Sequence, residues 1–134
     1  MRMNCPPEHD EQVLVIQWAA CHLRKYPDLD MLYAVPNGGL RGKVVARKLK
    51  AEGVKAGVPD LVLAAPMGGY HGLYLEMKRR KGSKVQADQK DWLTRLQEAG
   101  YCCCVCKGFA SAKETLIAYL EGKPVPHQYP EVMT

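Results

Sequence analysis

Glu76 and Lys78 stand two apart in Leu73-Tyr74-Leu75-Glu76-Met77-Lys78, and Asp60 heads the apolar run Asp60-Leu61-Val62-Leu63-Ala64-Ala65. As a strand, the first segment sends Leu73, Leu75 and Met77 to one face and Tyr74, Glu76 and Lys78 to the other. Glu76 and Lys78 then project the same way, roughly 7 Å apart along the strand. Residues 66–72 hold three Gly and a Pro, which predicts a hairpin that brings Asp60 into the same small volume. Two carboxylates placed together repel unless positive charge lies between them, and a hard divalent cation with oxygen ligands supplies it best. The expected ion is Mg²⁺ or its close substitute Mn²⁺. Such an ion polarises a phosphoryl oxygen and acidifies a bound water, while Lys78 balances charge that gathers on the phosphate. The chemistry implied is phosphodiester hydrolysis.

Around these residues the pattern predicts α/β architecture in the order α-β-α-β-β-α-β-α, a mixed sheet flanked by helices. The first helix is expected over residues 8–26, ended by Pro27, with Gln12, Ile16, Ala19 and Leu23 as its apolar stripe and Val15 beside it. A short strand follows over residues 31–35, and then the turn Pro36-Asn37-Gly38-Gly39. A basic helix over residues 42–52 should turn Val44, Val45 and Leu49 inward and stop at Gly53. After the hairpin, a helix reaches residue 99 with Gln89, Trp92, Leu93 and Leu96 on one stripe and Gly100 as its stop. A strand over residues 101–106 and a helix over residues 111–120 complete the order. At 134 residues the chain suits one domain, taken as residues 1–122, with an extended tail over residues 123–134.

The composition is that of a globular protein, 47% hydrophobic and 25% charged, and no apolar run is long enough to cross a membrane. Residues 1–10 do not have the layout of a signal peptide, so a cytoplasmic location is expected. The net charge of +5 is concentrated. Arg41, Lys43, Arg47, Lys48, Lys50 and Lys55 face a single acid, Glu52, and a second cluster joins Lys78, Arg79, Arg80, Lys81 and Lys84. Such clusters suit a polyanion, most commonly nucleic acid, although a solvated basic face would read the same way. Arg41, Lys43 and Arg47, just after the Asn37-Gly38-Gly39 turn, are the best placed to meet phosphates, because glycines let a backbone approach closely.

Four of the six cysteines crowd into Cys102, Cys103, Cys104 and Cys106. They lack paired zinc-ligand spacing and read as reduced core thiols, with no zinc expected. His71 reads as a turn residue rather than a general base. Trp18 and Trp92 read as core residues rather than platforms for base stacking.

Taken together, Asn37-Gly38-Gly39, Gly53, Gly57-Val58-Pro59-Asp60, Glu76-Met77-Lys78 and Gln89 resemble the virus-type replication-repair nuclease (VRR-Nuc) branch of the PD-(D/E)XK nucleases, in its stand-alone phage or bacterial form. The resemblance spans about residues 8–120. It implies a PD-(D/E)XK-like fold with metal held by Asp60, Glu76 and the main-chain carbonyl of Met77. It also implies that Lys78 activates water and steadies the phosphate, and that Gln89 supports the site. A Glu on the first helix completes the family's set. Glu11, followed by Gln12 as the pattern requires, is the choice, with Glu8 as its competitor.

The activity implied is that of a Mg²⁺- or Mn²⁺-dependent DNA endonuclease. By analogy with Holliday-junction resolvases, it would be a homodimer cutting branched DNA in a bacterial or phage-infected cell. Its DNA contacts would come from Asn37, Gly38, Gly39, Arg41, Lys43, Arg47, Arg79 and Arg80. The alternative is a DNA-binding module that keeps the fold without cleavage.

Overall fold

The computed structural model describes residues 5–36 and 42–130. Its elements are α1 (Glu8–Cys21), β1 (Leu32–Ala34), α2 (Lys43–Ala51), β2 (Leu61–Leu63), β3 (Leu73–Lys78), α3 (Ala87–Glu98), β4 (Cys102–Lys107) and α4 (Phe109–Leu120), with a 3₁₀ turn over Pro27–Met31. This is the expected order.

The four strands form one mixed sheet in the order β1-β2-β3-β4. β1 and β2 pair antiparallel, as do β2 and β3, whereas β3 and β4 run parallel. A parallel pair needs a crossover of a dozen or more residues, and α3 provides it. β3 is therefore central. Leu61, Leu63, Leu73, Leu75 and Met77 join Cys102, Cys104 and Cys106 in a core shared with Val15, Trp18, Leu116 and Tyr119 of α1 and α4. Each fully buried leucine there stabilises the fold by about 1.5–3 kcal/mol. The opposite face of the sheet carries Glu76 and Lys78 and is covered in part by α3, whose Leu93 is fully buried. β3 is consequently buried on both faces, charged residues included.

Three local readings need correction. α1 stops at Cys21 rather than residue 26, and its buried stripe is Glu11, Val15, Trp18 and Ala19. Ile16 and Leu23 are exposed. The sequence offered two overlapping apolar stripes, and tertiary packing selected the one carrying the larger side chain: Trp18 joins Tyr26 and Leu29 in the core. In α2, Val44 and Val45 point outward at 65% and 45% exposure, and no residue of that helix is buried. α2 ends as expected at Gly53, whose positive φ of 101° lets its N–H reach the Lys50 carbonyl and lets Val54 N–H reach Leu49.

Residues 127–129 lie along the outer edge of β4. Val105 N–H donates to the His127 carbonyl at 3.0 Å and Tyr129 N–H to the Cys103 carbonyl at 2.9 Å. All described cysteines are free, and Cys102, Cys103, Cys104 and Cys106 are buried. Burial pushes the Cys103 and Cys106 thiols up to about 12, so they remain protonated. Among the described residues, no helix is long and apolar enough to cross a membrane.

Candidate active site

The antiparallel register sets Leu61 opposite Leu75, and one further step places Asp60 across from Glu76 on the same face. β2 begins only at Leu61, so the β3 backbone beyond Leu75 has no ladder partner on that side. Asp60 fills the gap with its side chain: Oδ2 accepts the Met77 N–H at 2.7 Å. The N–H and C=O of a strand residue point toward the same neighbour, so the Met77 carbonyl also faces the Asp60 side. Its side chain meanwhile stays in the core at 1% exposure.

Glu76 is 1% exposed. Its Oε1 accepts the Gln89 Nε2 at 3.2 Å and lies 3.8 Å from Lys78 Nζ. Oε2 is buried with no hydrogen-bond partner among the described residues. Burial, the Asp60 charge beside it, the hydrogen bond it shares with Asp60 and the more distant Glu8 push Glu76 up to about 9, with Lys78 pulling the other way. Asp60 is likewise raised, chiefly by burial, with Glu8 adding to the shift; the Met77 N–H, Glu76 and Lys78 oppose it. Left to themselves, the pair holds a proton at neutral pH.

Gln89 reaches the site because Gly57 lets it. Gly57 has φ +88°, and a Cβ there would come within 2.8 Å of the Asp88 main chain. The Gly57-Val58-Pro59-Asp60 segment thus packs directly on the first turn of α3. Gln89 Oε1 also accepts the Gln86 N–H at 2.8 Å, so one amide both closes the start of α3 and steadies Glu76.

The two first-helix acids lie on one face, three residues apart, yet meet different partners. Glu8 Oε1 accepts from the Ser83 hydroxyl at 2.9 Å, and Glu8 is the third acid acting on both Asp60 and Glu76. Glu11, 5% exposed, turns toward α4, accepts the Phe109 N–H and lies 3.6 Å from Arg80 Nε. Gly108 leaves room for this contact, since a Cβ there would meet both Glu11 and Arg80 below 3.0 Å. Arg79 donates to the Cys5 carbonyl at 3.0 Å. Arg79 and Arg80 thus tie the segment after β3 to the start of α1. Lys43 and Arg47 are exposed on α2. Asn37, Gly38, Gly39 and Arg41 lie outside the described residues.

Sequence reasoning did not single out Ser83 or the Gly108 contact. Ser83 is hidden inside a basic run, and Gly108 carries no local signal beyond a strand-to-helix turn.

His71 is exposed in its turn, where its N–H donates to the Gly100 carbonyl at 2.9 Å. Trp18 is buried and stacks on His22, and Trp92 is half-buried beneath Arg95. Among the described residues, no three His, Cys, Asp or Glu side chains form a cluster that could hold a metal. A cation at Asp60 and Glu76 would therefore need main-chain or solvent oxygens to complete its shell.

A mixed sheet with helices on both faces, carrying an acid pair and a lysine at the start of β2 and the end of β3, defines a nuclease-like α/β domain. The chain matches the model of the VRR-NUC domain over residues 7–110 and belongs to that family. A solved structure titled "VRR_NUC domain protein" is 30% identical to it, with a TM-score of 0.76 over 90% of this chain and 93% of that one. No curated protein matches it. Family and fold together make its function of the nuclease type.

Proposed function

We propose that this chain is a divalent-metal-dependent DNA endonuclease that cuts branched DNA as a homodimer. The observation that carries this reading is the pair of buried acids, Asp60 and Glu76, held so close that they share a hydrogen bond and the Glu76 pKa is driven up. Two carboxyls this close share a proton unless a cation takes its place, and only with the cation can both stay ionised. Asp60, Glu76 and the Met77 carbonyl form an all-oxygen donor set suited to Mg²⁺ or Mn²⁺. When bound, the ion would acidify water and polarise the phosphate. Lys78, buried beside Glu76, supplies fixed positive charge to the phosphate oxygens at low solvation cost. Gln89 holds the Glu76 carboxylate in one orientation.

For the first-helix acid, we favour Glu8 over Glu11 because the Glu8 charge is felt by both Asp60 and Glu76. Glu8 acts electrostatically on the pair, whereas Glu11 braces α1 against the start of α4. Cutting opposed strands of a branch symmetrically calls for a second copy, and two-fold pairing is the commonest way to supply it.

The test is cleavage of a labelled four-way junction, a flap and a linear duplex with Mg²⁺, Mn²⁺ or EDTA, together with the mass of the particle in solution. Metal-dependent cutting that favours the branched substrates, by a particle of twice the chain mass, is expected. Tight binding without cleavage in either metal would mean a non-catalytic DNA-binding module. Glu8→Gln should lose activity while folding normally, and Glu11→Gln should lower the melting temperature. The reverse pattern would return the role to Glu11.

A further inference from the structure

Val105 and Lys107 of β4 stand in register with Glu76 and Lys78 of β3. Paired residues on adjacent strands share a sheet face, so both point to the same side as the charged pair, about 4.8 Å away at the backbone. There they line a cavity of about 460 Å³ together with Val85, Ser111, His127 and Tyr129. Val85 comes from the segment leading into α3, the helix that brings Gln89 to Glu76. Across from it stands the C-terminal segment, pinned to β4 through His127 and Tyr129. The His127 ring is held by Glu114 at 3.2 Å. Lys107 is exposed, with no carboxylate within 4.0 Å among the described residues, so a positive charge stands free at the cavity.

The volume lies within the roughly 300–1,000 Å³ of small-molecule sites. It has room for one nucleobase with its sugar. Apolar and aromatic lining beside a free cation suits a nucleotide, with its flat base and its phosphate. The cavity is lined from β4, the strand next to the one that carries Glu76 and Lys78.

We propose that this cavity receives a single unpaired nucleotide of the strand being cut, next to the scissile phosphate. The base lies against Val105 and Tyr129, and Lys107 meets its phosphate. The proposal rests on the nuclease reading above and gives it a physical basis for selecting branched DNA. Extracting a paired base costs unstacking and unpairing energy, whereas a base at a branch is already free. Contact through an aromatic face is tolerant of sequence, so the choice would fall on structure rather than on base identity.

The test uses the full chain with two duplexes, one continuous and one carrying an unpaired 2-aminopurine beside the cut. In Tyr129→Ala and Lys107→Met, the ratio of kcat/KM for the unpaired over the continuous substrate should fall about tenfold, the scale set by loss of one base-stacking contact. In EDTA, binding of wild-type protein should change the 2-aminopurine fluorescence, and Tyr129→Ala should abolish the change. Lys107→Met leaves the C-terminal segment untouched and guards against simple unfolding of the Tyr129 variant. Unchanged ratios and an unchanged fluorescence response would overturn the proposal. If wild-type protein cuts neither substrate in Mg²⁺ or Mn²⁺, the nuclease reading fails, while the fluorescence response still decides the cavity.

Discussion

β3 and α2 break the burial rule in opposite directions. β3 hides Glu76 and Lys78 at 1% and 5% exposure, whereas α2 leaves Val44 and Val45 largely in water. Burying charge costs folding energy, and exposing apolar surface forgoes it. The first departure is compensated inside the chain by Gln89, Lys78 and the Met77 N–H, all converging on the acid pair. The second has no compensation among the described residues. Departures from local rules concentrate where function resides.

The contrast breaks first at Asp60. Asp60→Ala should lower cleavage by about 10³-fold or more, above the loss of about 10²–10³ typical of one removed transition-state stabiliser. Mg²⁺ should also cease to raise the melting temperature, and a retained metal-dependent shift would argue against Asp60 as a ligand.

Gln89→Ala should cost about 10–100-fold in activity or metal affinity, the usual loss for a residue that orients a ligand. Titrating Mn²⁺ against the variant checks it, and wild-type affinity would detach Gln89 from the site.

Glu76 makes a prediction about pH. Its carboxyl titrates near 4.5 ordinarily and about 9 in the fold, so the folded chain holds a proton that the unfolded chain releases. The contribution of Glu76 to metal-free stability should therefore be fully present below pH 4.5 and be lost as pH rises toward 9. Glu76→Gln should flatten that decline and raise the melting temperature at neutral pH while abolishing cleavage. Chemical denaturation across the pH range measures it.

The smallest effect belongs to α2. Val44→Ser with Val45→Ser should change stability by no more than about 0.5 kcal/mol, as exposed positions do, yet weaken DNA binding or self-association. A large loss of stability would mean that these valines are packed after all.

Much of the site was legible because strand alternation is a local property. Leu73 to Lys78 declared its two faces, and the Gly- and Pro-rich residues 66–72 marked the hairpin that sets Asp60 opposite Glu76. The stop at Gly53 and the stripe around Leu93 were equally local. What escaped depended on partners distant in sequence. Whether Ile16 or Trp18 faces inward was decided by Tyr26 and Leu29, and the inward turn expected of Val44 required a partner that is not found among the described residues. Glu8 and Glu11 share a helical face, so no wheel could tell that Ser83 would claim one and Phe109 the other. The segment at residues 127–129 carries no strand pattern, and its attachment arises from the open edge of β4.

The parallel pairing of β3 with β4 has one more implication. Two strands running the same way cannot be joined by a tight turn, so some excursion across the sheet is compulsory there. This chain makes that excursion with the helix that carries Gln89. Shortening the crossover would therefore remove a topological link and a chemical support at one stroke, so the connection is constrained in length as well as in sequence.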